Sequence, residues 1–143
     1  MDSIYLKAPV TVKAKLTEKL KTRMLNDMDE AIKRAELEVQ QLNIQEKRVL
    51  DENKPANPDV PTPDEINRIG AIQQQFGQEK QKRLQYRQET MSKREELDGL
   101  AIGAEIVQGT LERQVEVKVG DDMREIMNVE ILVEDDKIVA IRG

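Results

Sequence analysis

The sequence predicts an α+β protein in which a long antiparallel helical hairpin of coiled-coil type projects from a small antiparallel β domain built by the two chain ends. Three observations predict it. Apolar residues recur at steps of three and four from Leu25 to Val49. Four of the five prolines crowd into NKPANPDVPTPDE, residues 53–65. Both ends of the chain alternate apolar and polar residues with the period of a half-buried strand.

The first element is the strand in APVTVKAKL, where Val10, Val12 and Ala14 alternate with Thr11, Lys13 and Lys15. Thr17 then offers a helix N-cap. The helix behind it carries Leu25, Ile32, Val39 and Glu46 at a, and Met28, Ala35, Leu42 and Val49 at d, a narrow seam interrupted by Glu46. The prolines mark where this helix must stop. In TPDE, Thr62 is a cap, Pro63 occupies N1 and Glu65 closes a capping box, so a second helix starts there.

Its seam is poorer: Ile66, Ile69, Gln73, Phe76, Lys80, Leu84, Arg87 and Met91. Gly70 and Gly77 each cost it about 1 kcal/mol relative to alanine, so it leans on the first helix. Gly99 suits its left-handed C′ position. Two helices of roughly 35 residues would each be about 50 Å long.

Beyond Gly103, TLERQVEVKVGD alternates Leu111, Arg113, Val115, Val117 and Val119 with polar residues, with a phase change expected near Arg113. GDDMREIMN predicts a single helical turn capped by Asp121, and NVEILVEDDKIVAIRG a β-hairpin turning at EDDK. The division that follows is residues 1–16 and 100–143 for the β domain, 17–99 for the hairpin and 53–63 for its tip.

Composition narrows the chemistry. Of 143 residues, 36% are charged and 2% aromatic, which argues against one thick aromatic-rich core. Cysteine and histidine are absent, which removes thiolate nucleophiles, imidazole bases and most zinc sites. No segment has the apolar core of a signal peptide or approaches a membrane span, so a cytoplasmic protein without membrane contact is expected. The net charge of −5 disfavours nucleic acid as a general partner.

Two segments resemble a known family. VTVKAKLTEKLK, residues 10–21, and VEVKVGDDMREIMNVEILVEDDKIVAIRG, residues 115–143, are similar to the YlqD-like bacterial proteins, in which a helical middle separates a strand-forming start from a strand-rich end. Members often carry an aromatic residue where Met123 stands and a glycine where Asp136 stands. The resemblance implies the α+β fold and supplies no catalytic residue, since the family has no established activity.

Four features could bind something, and each has a plainer structural reading. Pro55, Pro58 and Pro61 have polyproline II spacing but no flanking arginine or apolar anchor, so they read as a helix-blocking link. Lys80, Lys82, Arg83, Arg87, Lys93 and Arg94 form a basic strip that would suit RNA; facing Asp27, Glu30, Glu36 and Glu38, it would instead fix the hairpin's register. Asp121 and Asp122, and Glu134, Asp135 and Asp136, lack EF-hand spacing and read as a cap and a turn, so no metal or cofactor is expected. Leu37 and Ile44, with Leu50, Met24 and Ala31 at the flanks, form a second apolar stripe on the outer face of the first helix.

The sequence thus favours a non-enzymatic protein–protein interaction or scaffold module that forms homo-oligomers and presents its hairpin through Leu37, Ile44 and Leu50. The other reading is an RNA- or ribosome-associated protein using residues 80–94. An enzyme would need a site made of carboxylates alone, and no catalytic residue is assigned.

Overall fold

A computed structural model describes residues 1–143. The elements run β1 (Ser3–Lys15), α1 (Glu18–Glu52), α2 (Pro63–Asp98), β2 (Glu105–Lys118), α3 (Met123–Met127), β3 (Val129–Glu134) and β4 (Lys137–Arg142). They form two compact units: Met1–Met24 with Gly99–Gly143, and Leu25–Asp98.

In the first unit the alternation of β1 places it at the centre of a four-stranded sheet of order β2-β1-β3-β4. β1 pairs with β2 antiparallel from Ser3↔Lys118 to Lys15↔Glu105. The pairing runs on past the strand ends, where the Leu16 amide donates to the Ala104 carbonyl at 2.7 Å and the Gly103 amide to the Leu16 carbonyl at 2.7 Å. One expectation needs correction. The sheet is mixed, because β3 lies parallel to β1, from Val10↔Val129 to Ala14↔Val133. β3 and β4 form the expected hairpin.

The register gives each face its chemistry. On one face Val10 lies between Leu111 and Val129, Val12 between Gly109 and Ile131, and Ala14 between Ile106 and Val133. Ala8, Val10 and Ala14 are buried there, and Leu16, just beyond, is fully enclosed. The opposite face carries an ionic chain with one residue from each strand. Lys13 meets Glu130 at 2.8 Å, Glu130 meets Arg142 at 3.5 Å, and Arg142 reaches Glu105 at 2.7 Å.

Two details depart from expectation. Arg113 causes no change of phase, since it pairs with Ala8 in step with Leu111 and Val115 and its Nη2 donates to the Ile126 carbonyl at the end of α3. The irregularity sits instead opposite Val12 and Lys13, where Gln108 is the unmatched residue of a bulge. Asp122, not Asp121, caps α3 by accepting from the Arg124 amide at 2.8 Å; Asp121 accepts from the Lys118 amide. The left-handed glycines are Gly103 and Gly120, not Gly99.

The second unit is the hairpin of α1 and α2 from Leu25 to Asp98, while the first turns of α1 belong to the first unit. The Thr17 hydroxyl that starts α1 accepts from the Leu20 amide at 3.1 Å. At the tip the capping box closes both ways: Glu65 N–H to Thr62 Oγ1 at 3.2 Å, and Thr62 N–H to Glu65 Oε1 at 2.9 Å. Glu65 Oε2 also accepts from the Ala56 amide at 2.9 Å, so one carboxylate ties the proline link to the helix it precedes. Thr62→Ala removes the cap acceptor, and the expected cost is about 1 kcal/mol. Denaturant melts measure the cost, and faster hydrogen exchange confined to the start of α2 locates it.

Candidate functional site

The inner face of α1 is the one its heptad predicts. Leu25, Met28, Ile32, Val39, Leu42 and Val49 are partly covered and Ala35 is buried. The inner face of α2 differs from the predicted seam at four steps, with Ile66 and Gln73 exposed toward the tip and Ile72 half-buried beside them. Thr90 and Leu97 are buried and Arg83 is half-buried, whereas Leu84 and Met91 are 44% and 38% exposed. Charge explains the choice, since turning the helix to hide Leu84 and Met91 would carry the arginines away from the carboxylates of α1.

Those carboxylates meet the basic strip in order. Arg94 Nε donates to Asp29 Oδ1 at 2.5 Å, Arg87 Nε to Glu36 Oε1 at 2.7 Å, and Lys80 Nζ to Asn43 Oδ1 at 3.1 Å. Each step of seven forward along α1 is matched by a step of seven backward along α2, as an antiparallel pair in one fixed register requires. Lys80 also pairs with Glu46 at 3.3 Å, so the residue that interrupts the seam of α1 meets the lysine that interrupts the seam of α2. On the other flank Arg83 donates to Glu79 Oε2 at 2.6 Å, while its Nε faces Glu38 Oε2 at 3.3 Å without hydrogen-bond alignment.

Four of the six strip residues, Lys80, Arg83, Arg87 and Arg94, are therefore bound to α1. Lys82 pairs with Glu79 on its own helix, and Lys93 is exposed. The partners are Asp29, Glu36, Glu38 and Glu46; Asp27 and Glu30, expected among them, point outward.

The ion pairs act on protonation. The Arg94 hydrogen bond holds Asp29 below the usual aspartate value, Arg83 lowers Glu79, Lys13 lowers Glu130, and the Thr62 amide lowers Glu65.

The expected outer stripe is exposed, with Leu37 at 53% and Ile44 at 66%, and Leu50 half-covered. Leu84 and Met91 form a row on α2 that Gly70 and Gly77 continue toward the tip at the same spacing of seven. A Cβ on either glycine would meet no atom within 4 Å, so packing within the hairpin does not demand them. The prolines 55, 58 and 61 lie in the link 53–62 between the helices. Asp121 and Asp122 serve the turn and cap of α3, and Asp135 accepts from the Thr17 hydroxyl at 2.9 Å. No three carboxylates converge as metal ligands. No helix is long and apolar enough to cross a membrane.

A four-stranded mixed sheet made by the chain ends, with a helical hairpin of the middle residues, defines the class of fold. Residues 4–142 match the model of the YlqD protein family, and the chain belongs to that family. It is also similar to the crystal structure of a protein of unknown function from Synechococcus sp. WH 8102, with a TM-score of 0.83 and 27% identity over 99% of this chain and 95% of that one. No curated protein matches it significantly.

Because Asp29, Glu65, Glu79 and Glu130 are all lowered in the folded state, the unfolded chain binds more protons as acid is added. Their stabilisation is complete above the ordinary glutamate value of 4.5 and is lost as pH falls through the depressed values. Thermal melts across acid pH test the sign: Tm should drop on acidification below that value. A Tm that held or rose would contradict it.

Proposed function

We propose that this protein is a non-enzymatic interaction module that self-associates through its helical hairpin, with the apolar residues Leu37, Ile44 and Leu50 at the contact. The observation that carries the reading is that four of the six basic-strip residues are spent on pairs with α1, while apolar residues of both helices are left outside. Two helices cannot cover every apolar stripe they carry, and a second layer is the common remedy. A second copy supplies one by symmetry, since the same patch can serve both partners of a two-fold contact. Four helices from two copies would place Leu37 and Ile44 against their equivalents or against Leu84 and Met91.

The RNA-binding reading has less to draw on, because opening Lys80, Arg83, Arg87 and Arg94 to phosphate would cost the helix-to-helix pairs. Lys82 and Lys93 alone would give a shallow salt dependence. A cytoplasmic setting agrees with the absence of cysteine but is not required by the module.

Sedimentation equilibrium of the full chain tests the proposal. A dimer or larger assembly is expected, and Leu37→Glu with Ile44→Glu should return it to monomer with its helical circular dichroism unchanged. A chain that stays monomeric at high protein concentration would refute self-association, and steep salt-dependent binding to structured RNA would favour the other reading.

A further inference from the structure

We propose that the cavity between the sheet and the first turns of α1 binds a small zwitterion with a short apolar body, the chemistry of a free α-amino acid. This site lies within the unit formed by Met1–Met24 and Gly99–Gly143 and is independent of the hairpin surface. Its volume is about 240 Å3, room for roughly eight waters at about 30 Å3 each. That is too small for a nucleotide or a drug-sized ligand. Val12, Ala14 and Val133 line it from the sheet and Leu20 from the helix, so the body of its ligand should be apolar.

Charge at the rim supplies the rest. Lys19 and Arg23 stand one helical turn apart on α1, an arrangement that disfavours an isolated helix through repulsion. Across the cavity lie Asp135 and Asp136 of the β3–β4 turn. These opposite charges share one cavity, yet no ion pair within 4.0 Å joins them, and Asp135 turns to the Thr17 hydroxyl instead. An anion alone would meet the aspartates and a cation alone the basic pair. A molecule carrying both satisfies each, its carboxylate on Arg23, whose guanidinium matches that group in shape, and its ammonium on Asp136.

Backbone irregularities gather at the same place. Gln108, the unmatched residue of the bulge in β2, lines the cavity, and bulges commonly re-aim a side chain beside a site. Asp135 and Asp136, with φ of 46° and 69°, form the left-handed pair that a two-residue hairpin turn requires and aspartate tolerates, and this turn holds both carboxylates at the rim. The pairing of β3 with β4 also shifts register between Leu132 and Val133, so two irregularities of the sheet, at Gln108 and beside Val133, border one cavity with opposite charges on its two sides.

Calorimetric titration of the full chain with L-leucine tests the proposal, beside 4-methylpentanoate, which lacks the ammonium, and 3-methylbutylamine, which lacks the carboxylate. Saturable 1:1 binding of leucine is expected, with each half-ligand and each of the variants Arg23→Gln and Asp136→Asn weaker by about tenfold or more. Asparagine enters the left-handed region as readily as aspartate, so Asp136→Asn should keep its melting temperature and any loss of binding reports the site. Leu37→Glu should leave leucine binding unchanged, which separates this result from the fate of the hairpin contact. Absence of saturable heat with leucine and valine up to about 10 mM, half-ligands that bind as well as leucine, or variants that bind like the parent would each overturn it.

Discussion

The hairpin depends on a ladder of polar pairs whose rungs fall every seventh residue, the ion pairs Asp29 with Arg94 and Glu36 with Arg87 and the hydrogen bond of Lys80 to Asn43. A single exposed pair of this kind contributes at most about 1 kcal/mol, too little to hold two long helices together. Its value lies in selection. The apolar seam of α1 would accept α2 in several registers, because α2 offers few large apolar residues past Phe76. Sliding α2 by one turn would break every rung at once and leave Glu46 facing something other than Lys80. Weak pairs that agree with one another choose among alignments that hydrophobic burial does not distinguish.

The β unit solves the same problem in another way. Long antiparallel pairing of β1 with β2 joins segments separated by the whole hairpin, and it continues to Leu16 and Gly103. The left-handed Gly103 lets the chain leave that ladder without a clash at Cβ. On the polar face, the chain of Lys13, Glu130, Arg142 and Glu105 links all four strands, including both edges. Arg113, on the apolar face, donates through Nη2 to the end of α3, while its buried Nε has no partner.

What the sequence disclosed follows from the range of each signal. The capping box, the heptad of α1, the strand alternation and the β3–β4 turn rest on neighbours within a few residues, and all appear in the structure. The predicted seam of α2 fails at Ile66, Gln73, Leu84 and Met91, and at the last two because a rule that favours apolar residues cannot see carboxylates on another helix. A spacing of seven in Asp29, Glu36 and Asn43, repeated in Arg94, Arg87 and Lys80, was the available signal. The parallel β1–β3 pair could not be foreseen, since nothing local to either strand says which neighbour it takes. The cavity was equally hidden: Lys19 and Arg23 lie far from Asp135 and Asp136 in sequence, and only the fold places them on one rim.

Register is therefore the quantity to measure. The chain has no cysteine, so spin labels can be placed on single cysteines substituted for the exposed Gln40 and Gln88, four residues and one residue from the Glu36–Arg87 rung and neither of them among the residues of the proposed contact. Pulsed electron resonance then reads the distance between the helices directly. Reversing only the α1 side, with Asp29→Arg and Glu36→Arg, should broaden or shift that distance, and adding Arg87→Glu and Arg94→Glu should restore the narrow original one. An unchanged distance in the half-reversed protein would show that the ladder does not set the register.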